Sequence, residues 1–482
     1  MLNHLRQLGK ESLIYGVSGV VSRFLSVLLV PIYARVFSTE EYGYIGLITT
    51  TMGLLQIFVV LALDNSAARW FYETDEIRDR KSTIASWLWC QLSVATVVGL
   101  VMIMASEWLG IFILGDPSTG VYFRISGATL PLLTLSTGVI NWFRYQRRPT
   151  ATIIFTITIS TTTVLLTILF VVGLKWSLEG IYLAQLISAS IGTIAAVLIM
   201  KDWINPTYFR WLRLGEMLRY AIPLIPASIA FWIVNLSSRY FIQAYSTTSE
   251  VGVYQLGATI AMVMALVTTA FQQAWGPYGL SIYKQPEARN VYASVFLVYI
   301  WLTVSLSTAL ALFAPEIIRI FATKDYLGAS PIVGILAFGY VFIGLNYIAN
   351  TGPAIVKDMR PLGVAMVGSA VVNIGLNFLL VPKLGKSGSA IATLISLAIV
   401  SIYVFYRSQQ LYPIPYRFKS AIGIFIFAII IIFGSTIINI SNIWGSIFTK
   451  LLLLLLFIPI SLLLRVVTPD QLRIGWNKLF GG

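Results

Sequence analysis

The stretch that decides the fold is LIYGVSGVVSRFLSVLLVPIYARVFSTEEYGYIG, from Leu13 to Gly46. It is apolar enough to cross a membrane, yet it carries Arg23 near the middle of its apolar run. A guanidinium at that depth costs about 3 kcal/mol on insertion scales, so it should face water, a counter-charge or an anionic ligand rather than lipid. The pattern therefore predicts a helix with one side on lipid and one side on a wet interior. Small and polar residues recur beside the arginine at steps of three and four, namely Ser12, Tyr15, Gly19, Ser22 and Ser26.

The composition of the whole chain also indicates a membrane protein. Of its 482 residues, 57% are hydrophobic and only 11% are charged, whereas a soluble domain carries about a quarter charged residues. About fourteen segments reach the roughly 20 apolar residues that a span requires. We therefore predict an all-α membrane protein with about 14 transmembrane helices. The predicted spans are Leu13–Val36, Tyr42–Leu63, Thr83–Ala105, Val121–Phe143, Thr152–Leu174, Glu179–Met200, Leu218–Tyr240, Val251–Gln272, Tyr292–Phe313, Ala329–Ala349, Leu362–Leu380, Gly388–Tyr406, Ser420–Ile440 and Gly445–Leu464.

The charge balance gives the orientation. A net charge of +14 would suggest nucleic-acid binding in a soluble protein. Here most of the basic residues fall in loops on one side of the predicted spans, which predicts both termini in the cytoplasm and no nucleic-acid partner. With one cysteine and one histidine, the chain offers neither an internal disulfide nor a Cys/His metal site.

An internal repeat divides the predicted spans. The segment Ser38–Leu47 resembles Thr247–Leu256, and Arg148-Pro149 matches Arg360-Pro361. Six spans per repeat return the chain to the same side, so the two repeats should be parallel. We predict an N-terminal lobe of helices 1 to 6 (residues 1–206), a C-terminal lobe of helices 7 to 12 (207–412) and two accessory helices, 13 and 14 (413–482). The accessory helices are nearly featureless and should face lipid.

The seventh predicted span is the counterpart of the first. Pro223 and Pro226 remove backbone hydrogen bonds and should bend it. Arg239 lies nearer the outer side than Arg23, so the two guanidinium groups would form a ladder of positive charge. The eighth span adds the uncharged polar side chains of Tyr254, Gln255 and Gln272. A polar face runs along the seventh span at steps of three and four, through Ser228, Trp232, Asn235, Arg239 and Gln243.

Two features mark the second predicted span. Ser38 with Glu41 three residues later predicts a capping box at its start. Asp64 lies at its end, where it is either a solvated terminus or a carrier of a proton or sodium ion. The sequence leaves both interpretations of Asp64 open.

These motifs resemble those of the polysaccharide-repeat-unit flippases, the Wzx-like oligosaccharide-lipid branch of the multidrug/oligosaccharidyl-lipid/polysaccharide exporter superfamily. The similarity rests on Ser38-Thr-Glu-Glu-Tyr-Gly43, on Asn373-Ile-Gly-Leu-Asn377 and on Gly385-Lys-Ser-Gly-Ser-Ala-Ile-Ala-Thr393. It implies two six-helix lobes in a V around a central cavity lined by spans 1, 2, 7 and 8. It also implies alternating access in a bacterial inner (plasma) membrane.

The resemblance implies transport of an undecaprenyl-pyrophosphate-linked oligosaccharide from the inner to the outer leaflet, for surface polysaccharide biosynthesis. Basic residues of the cavity would be Arg23, Arg239, Arg69 and Arg124. The lipid II flippase branch carries more cavity arginines on its first two spans, which disfavours a peptidoglycan precursor. Membrane lipids are expected neighbours, and the polymerase and chain-length regulator of the same pathway are expected partners.

The residue types of the predicted site suit a substrate that contains a pyrophosphate and sugars. Arginine suits a pyrophosphate through bidentate hydrogen bonding. A sugar needs hydroxyl, amide and aromatic partners, which Ser22, Asn235, Tyr254, Gln255 and Gln272 would supply. Arg23 could instead pair with an acid, and the amides could simply bond between helices.

Two other functions are open. One is a cation-coupled multidrug exporter of the same superfamily, with Asp64 as its carboxylate. The other is a membrane polymerase or ligase of the same pathway, which would require a sizeable catalytic outer loop. We expect a transporter rather than an enzyme, without a cofactor, coupled to H+ or Na+ if Asp64 carries an ion.

Overall fold

The computed structural model describes residues 29–437, 443–464 and Val466. Within these ranges every regular element is a helix and no strand occurs, which confirms the predicted all-α class. The predicted first span lies outside the described residues except for its last turns. The chain divides into two compact units after Gln255. The predicted lobe boundaries at 206 and 412 stay a prediction, as does the repeat.

The first unit is a bundle in which three long helices, α4, α6 and α8, pack side by side. Short π-helical and 3-10 segments connect the longer helices at Gly110–Leu114, Pro117–Thr119, Leu169–Gly173, Pro206–Tyr208 and Ile222–Leu224. The helices are α1 (Val30–Val36), α2 (Thr39–Val60), α3 (Leu63–Glu73), α4 (Ile77–Met104), α5 (Ser106–Leu109), α6 (Gly120–Tyr145), α7 (Pro149–Ile168), α8 (Leu178–Met200), α9 (Trp211–Ala221), α10 (Ile225–Leu236), α11 (Ser238–Tyr245) and α12 (Thr248–Ala261).

Local sequence sets where these helices begin. The predicted capping box is confirmed at the start of α2, where the Glu41 amide donates to the Ser38 hydroxyl at 3.2 Å. The Ser38 amide donates in turn to the Glu41 carboxylate at 2.9 Å. Each side chain thus satisfies a backbone N–H that the first helical turn leaves without an internal partner.

Two breaks interrupt the helices of the first unit. Leu61 and Ala62 both adopt left-handed backbone angles, which ends α2 and restarts the chain as α3 one residue before Asp64. The predicted bend of the seventh span stays a prediction, but the regular α-helix is interrupted there, because Ile222–Leu224 with Pro223 forms a 3-10 turn between α9 and α10 and Pro226 lies in the first turn of α10. Proline cannot donate the backbone hydrogen bond that a continuous α-helix needs at that point.

The second unit has its core where α15 packs against α14 and α17, and α18 packs against α14. Its helices are α13 (Met264–Ile282), α14 (Ala288–Phe321), α15 (Ser330–Ala349), α16 (Thr351–Val356), α17 (Arg360–Leu411), α18 (Phe418–Ile437), α19 (Ile443–Leu455) and α20 (Phe457–Leu463).

Eleven helical segments of the described ranges are long and apolar enough to span a membrane, or twelve with the pair α12 and α13. One of them is the 52-residue α17. At 1.5 Å per residue it would measure about 78 Å, more than twice the roughly 30 Å of a hydrocarbon core. Gly385 interrupts it with φ 54° and ψ −136°, and so divides α17 into two arms. The exact total of fourteen spans stays a prediction.

A buried polar network joins the two arms of α17. The Ser389 hydroxyl donates to Oδ1 of Asn377 at 2.6 Å, and Asn377 Nδ2 donates to Oδ1 of Asn373 at 3.0 Å. Asn373 Nδ2 reaches the Ser396 hydroxyl at 3.2 Å. All four side chains are fully buried, so the motif residues Asn373, Asn377 and Ser389 have a structural task beside the sharp Gly385 turn.

A buried ion pair attaches α19 to α14. Lys450 Nζ lies 2.6 Å from Oε1 of Glu316, and both side chains are nearly buried, at 16% and 12% exposure. Oε2 of Glu316 has no partner among the described residues. Lys450 is thus a polar feature in a span that was predicted to be nearly featureless and to face lipid.

Removing one charge of this pair should be far worse than removing both. Lys450→Met would leave the Glu316 carboxylate buried and uncompensated, at a cost of about 3–5 kcal/mol. The double variant Lys450→Met with Glu316→Gln should recover most of that loss. Apparent melting temperatures of the purified chain measure the effect, with Lys419→Met, an exposed lysine, as control. Equal melting temperatures of the single and double variants would contradict a coupled pair.

Candidate functional site

Glycines set the spacing of the helices that carry the predicted site. A Cβ at Gly43 on α2 would collide with the carbonyl oxygen of Thr248, and a Cβ at Gly252 on α12 would collide with that of Thr39. The contact is reciprocal, because the two glycines occupy equivalent places in the two similar segments Ser38–Leu47 and Thr247–Leu256. Without side chains at these points, the backbones of α2 and α12 touch.

Arg239 lies beside this crossing and is buried, at 6% exposure. Its Nε donates to Oε1 of Gln255 at 3.0 Å, and its Nη1 donates to the carbonyl oxygen of Asn235 at 2.9 Å. The guanidinium carbon lies 5.2 Å from the centre of the Tyr254 ring. A ring face and carbonyl oxygens are the neutral groups that best compensate a buried guanidinium. The structure thus brings four of the predicted residues together.

Helices α10 and α11 are each joined to α2 by a further hydrogen bond. The indole N–H of Trp232 donates to the Thr50 carbonyl oxygen at 3.1 Å. The hydroxyls of Tyr240 and Thr51 lie 2.7 Å apart. Trp232, predicted as part of a polar face, is therefore a packing residue whose one polar atom is used against α2.

Asn235 contributes its backbone oxygen to the Arg239 cluster, whereas its side-chain amide donates to its own helix at the Phe231 carbonyl oxygen, 2.8 Å away. Gln272 is exposed on α13 in the second unit. Arg23 and Ser22 lie outside the described residues.

Asp64 lies in a polar cluster rather than at a solvated end. Its Oδ1 accepts from Trp87 Nε1 at 3.0 Å and from Gln91 Nε2 at 2.9 Å. Its Oδ2 accepts from Asn141 Nδ2 at 3.1 Å, and its backbone oxygen accepts from the Tyr145 hydroxyl at 2.8 Å. All three donors to the carboxylate are neutral, and no described basic side chain forms an ion pair with it. Neutral N–H donors stabilise an anion without cancelling its charge.

Arg69 lies in a pocket between α3 and α9, about 600 Å³ in volume. Its guanidinium carbon is 5.0 Å from the centre of the Tyr220 ring and 5.6 Å from that of Trp70. We call this site the Arg69 pocket; its lining residues are Arg69, Trp70, Glu73, Arg213, Glu216, Arg219 and Tyr220.

The charges of the Arg69 pocket are only partly compensated. Arg213 pairs with Asp79 of α4 and with Glu216, whose Oε2 lies 3.4 Å away. Arg69 and Arg219 form no ion pair with any residue that the structure describes. The pocket therefore combines two available guanidinium groups with aromatic side walls.

Arg124 is held differently. Its Nη2 lies 2.8 Å from Oε1 of Glu107, and its Nε donates to the Ser106 hydroxyl at 2.9 Å. Both partners belong to α5, so this guanidinium fixes a local turn and is not gathered with Arg239 or Arg69.

Several residues of these sites are not among the predicted ones. Trp87, Gln91 and Asn141 hold Asp64, and Arg213, Arg219 and Tyr220 complete the Arg69 pocket. Polar residues one helical turn apart on α4, Trp87 and Gln91, were the available signal for the first group. In the described ranges no three His, Cys, Asp or Glu side chains gather as they would around a metal ion.

Comparisons with known proteins place the chain in a family. Residues 8–283 match the family described as polysaccharide biosynthesis protein, so more than half of the chain matches and it belongs to that family. It is 22% identical over 320 residues to a succinoglycan biosynthesis transport protein, ExoT, of Rhizobium meliloti, covering 65% of this chain and 62% of the relative. It is 24% identical to an uncharacterised membrane protein of Haemophilus influenzae, covering 71% of this chain and 84% of the relative.

Solved structures share the fold. The lipid II flippase MurJ superposes with a TM-score of 0.71 at 16% identity, over 93% of this chain and 99% of that one. A multidrug resistance transporter of the MATE family superposes with a TM-score of 0.65 at 15% identity, over 80% and 94%. These structures show the fold that the resemblance to the exporter superfamily implies, and the long apolar helices indicate a multi-pass membrane protein.

The glycine crossing gives a direct test of the arrangement around Arg239. Gly252→Ala should push α12 away from α2 and lower the free energy of unfolding by about 1–3 kcal/mol, the usual cost of overpacking. Gly215→Ala is the matched control, because nothing lies within 4 Å of the added Cβ in the exposed helix α9. That change should be neutral or slightly stabilising. Equal melting temperatures for the two variants would show that the close contact is not needed.

Proposed function

We propose that this chain flips an undecaprenyl-pyrophosphate-linked oligosaccharide repeat unit from the inner to the outer leaflet, for the assembly of a surface polysaccharide. Membership of the polysaccharide biosynthesis family supports the pathway. The similarity to a succinoglycan biosynthesis transport protein supports the activity. The lipid-linked substrate is supported by the shared fold with a lipid II flippase.

The Arg69 pocket is the observation that carries the substrate assignment. A diphosphate linked to lipid and sugar carries about two negative charges, and arginine binds phosphate bidentately. Arg69 and Arg219 make no ion pair with the described residues and so are available to an anion. Trp70 and Tyr220 offer aromatic faces of the kind that pack against sugar rings. The pocket lies on the side that the basic loops place in the cytoplasm, where such a substrate is loaded.

Arg239 would act at a later stage of the path. Its burial under Tyr254 and Gln255 makes it part of a rigid polar cluster on the helices that the family resemblance assigns to a central cavity. We propose that Arg239 and Arg23 set the positive potential along which the diphosphate moves while the two lobes alternate in access. Arg124, which is compensated by Glu107, contributes less to this potential.

Asp64 is the proposed coupling residue. Its carboxylate has three neutral donors and no ion pair with the described residues, so protonation or sodium binding would change its charge without breaking a salt bridge. The same geometry favours the alternative function, a cation-coupled multidrug exporter. The cationic Arg69 pocket opposes that alternative, because it would repel a cationic drug.

We propose that the protein is a transporter rather than an enzyme and that it works without a bound cofactor. We also propose that it lies in the bacterial plasma membrane with both termini in the cytoplasm. Its expected partners are membrane lipids and the polymerase and chain-length regulator of the same pathway.

Loss of charge in the Arg69 pocket should reduce transport. Arg69→Ala and Arg219→Ala should each lower polymer export about 10- to 100-fold, the equivalent of one charge-assisted hydrogen bond of about 1.5–3 kcal/mol. The measurement is surface polymer in a flippase-null strain, with lipid-linked intermediates quantified on each leaflet. The matched control is Arg289→Ala, because Arg289 also stacks on a tyrosine, Tyr412, at 4.8 Å but lies outside the pocket. Export at the wild-type level in both pocket variants would overturn the proposal.

Asp64→Asn should keep the shape of its cluster but remove the titratable charge. We expect export that no longer responds to a proton or sodium gradient, measured as uptake of the lipid-linked substrate into vesicles with and without each gradient. The control is Glu287→Gln, an exposed carboxylate. A variant that retains the full gradient response would exclude Asp64 as the coupling group.

A further inference from the structure

A second cavity of the first unit differs from the Arg69 pocket in that no acidic residue lines it. It encloses about 360 Å³ at the point where α4 begins and the segment before α9 passes over it. We call it the Arg78 pocket; its lining residues are Ile77, Arg78, Lys81, Ser82, Thr207, Tyr208 and Arg210.

The charge of the Arg78 pocket is positive and uncompensated. Three of its lining residues, Arg78, Lys81 and Arg210, are basic and none is acidic. Two acids of this segment are engaged, because Asp75 pairs with Arg80 at 2.7 Å and Asp79 pairs with Arg213. A third, Glu76, precedes α4 as its N-cap residue and does not line the pocket. The three basic side chains make no hydrogen bond or ion pair with the residues that the structure describes. Clustered like charges repel one another, and a bound anion relieves that repulsion.

The walls of the pocket suit a phosphate group. Lys81 Nζ lies 5.2 Å from the centre of the Tyr208 ring, which fixes the ammonium group at the side of the cavity. The Ser82 side chain is buried, at 5% exposure, and lies in the second turn of α4. A hydroxyl, guanidinium groups and the positive end of a helix dipole are together the usual donors to a phosphate.

The surroundings of the pocket are apolar, which distinguishes a lipid from a soluble anion. Ile77 is 57% exposed, and the two residues after Arg210, Trp211 and Leu212, are 78% and 79% exposed. Exposed aromatic and aliphatic side chains beside basic residues are typical of the membrane interface. A ligand at this place would have its charge in the pocket and its acyl chains against the protein surface.

We propose that the Arg78 pocket binds the phosphate of an anionic phospholipid. The site is separate from substrate transport, since the Arg69 pocket has different lining residues, two of them acidic. Basic clusters at the cytoplasmic ends of spans attract anionic lipids by about 1 kcal/mol per charge near the surface. The bound lipid would join the start of α4 to residues 207–210 and stabilise the first unit by mass action.

Lipid binding by the purified full chain tests this proposal without reference to transport. Native mass spectrometry would count phosphatidylglycerol and phosphatidylcholine retained after delipidation and titration. The triple variant Arg78→Gln, Lys81→Gln and Arg210→Gln should bind phosphatidylglycerol at least about tenfold more weakly and lose the lipid-dependent rise in melting temperature. The matched control Lys284→Gln, Arg360→Gln and Lys383→Gln removes the same charge from exposed positions of the second unit and should change binding less than twofold.

Each outcome distinguishes one source of the phosphate. Equal losses in the triple variant and its control would reduce the effect to overall charge and overturn the proposal. Displacement of the lipid by millimolar inorganic phosphate would assign the pocket to a soluble anion and also overturn it. Retention of phosphatidylglycerol over phosphatidylcholine, lost only in the triple variant, would support it even if Arg69→Ala left transport intact.

Discussion

The structure depends on one constraint, which is that a charge inside an apolar helical bundle must be compensated by a specific partner. Arg239 is compensated by the Gln255 amide and the Tyr254 ring. Asp64 is held by three neutral donors, and Glu316 by Lys450. Because burial of an unpaired charge costs several kcal/mol, these arrangements cannot be incidental. Arg69 and Arg219 of the Arg69 pocket and the three basic residues of the Arg78 pocket form no ion pair with the described residues, and an anion can reach them there.

Breaks in the helices place these groups. The left-handed residues Leu61 and Ala62 turn the chain so that Asp64 enters the bundle beside α4. The turn at Pro223 separates α9, which forms one wall of the Arg69 pocket, from α10, which packs on α2. Gly385 folds α17 back on itself, and the Asn377 network fixes that fold. The polar groups described above thus lie beside positions where the backbone departs from a regular helix.

Much of the fold could be predicted from local sequence. Apolar run length identifies the spans, the Ser38 and Glu41 pair marks a helix start, and the prolines mark a bend, because each depends on residues close in the chain. The cluster of Arg239 with Asn235 and Gln255 also follows from helical spacing and the neighbouring span. The Glu316–Lys450 pair could not be predicted, since its members are 134 residues apart and the predicted span ended at Phe313, before the carboxylate.

The Arg69 and Arg78 pockets could not be predicted either, because the residues that line each pocket lie far apart in the sequence. Arg69 and Arg219 are separated by most of the first unit, and only the packing of α3 against α9 unites them. Local patterns likewise could not show that Arg124 forms an ion pair with Glu107, or that three donors surround Asp64. Partners that lie on different helices are determined by tertiary packing, which a single sequence does not specify.

We propose that Arg69 and Arg219 recognise the diphosphate of an anionic lipid-linked substrate. The most direct measurement compares two substrates in proteoliposomes that contain only the purified chain, one with an oligosaccharide on a lipid diphosphate and one with the same oligosaccharide on a neutral lipid. We expect translocation of the diphosphate-linked form to be at least about tenfold faster, since the neutral form loses the charge-assisted hydrogen bonds. Equal rates for the two lipids would contradict it.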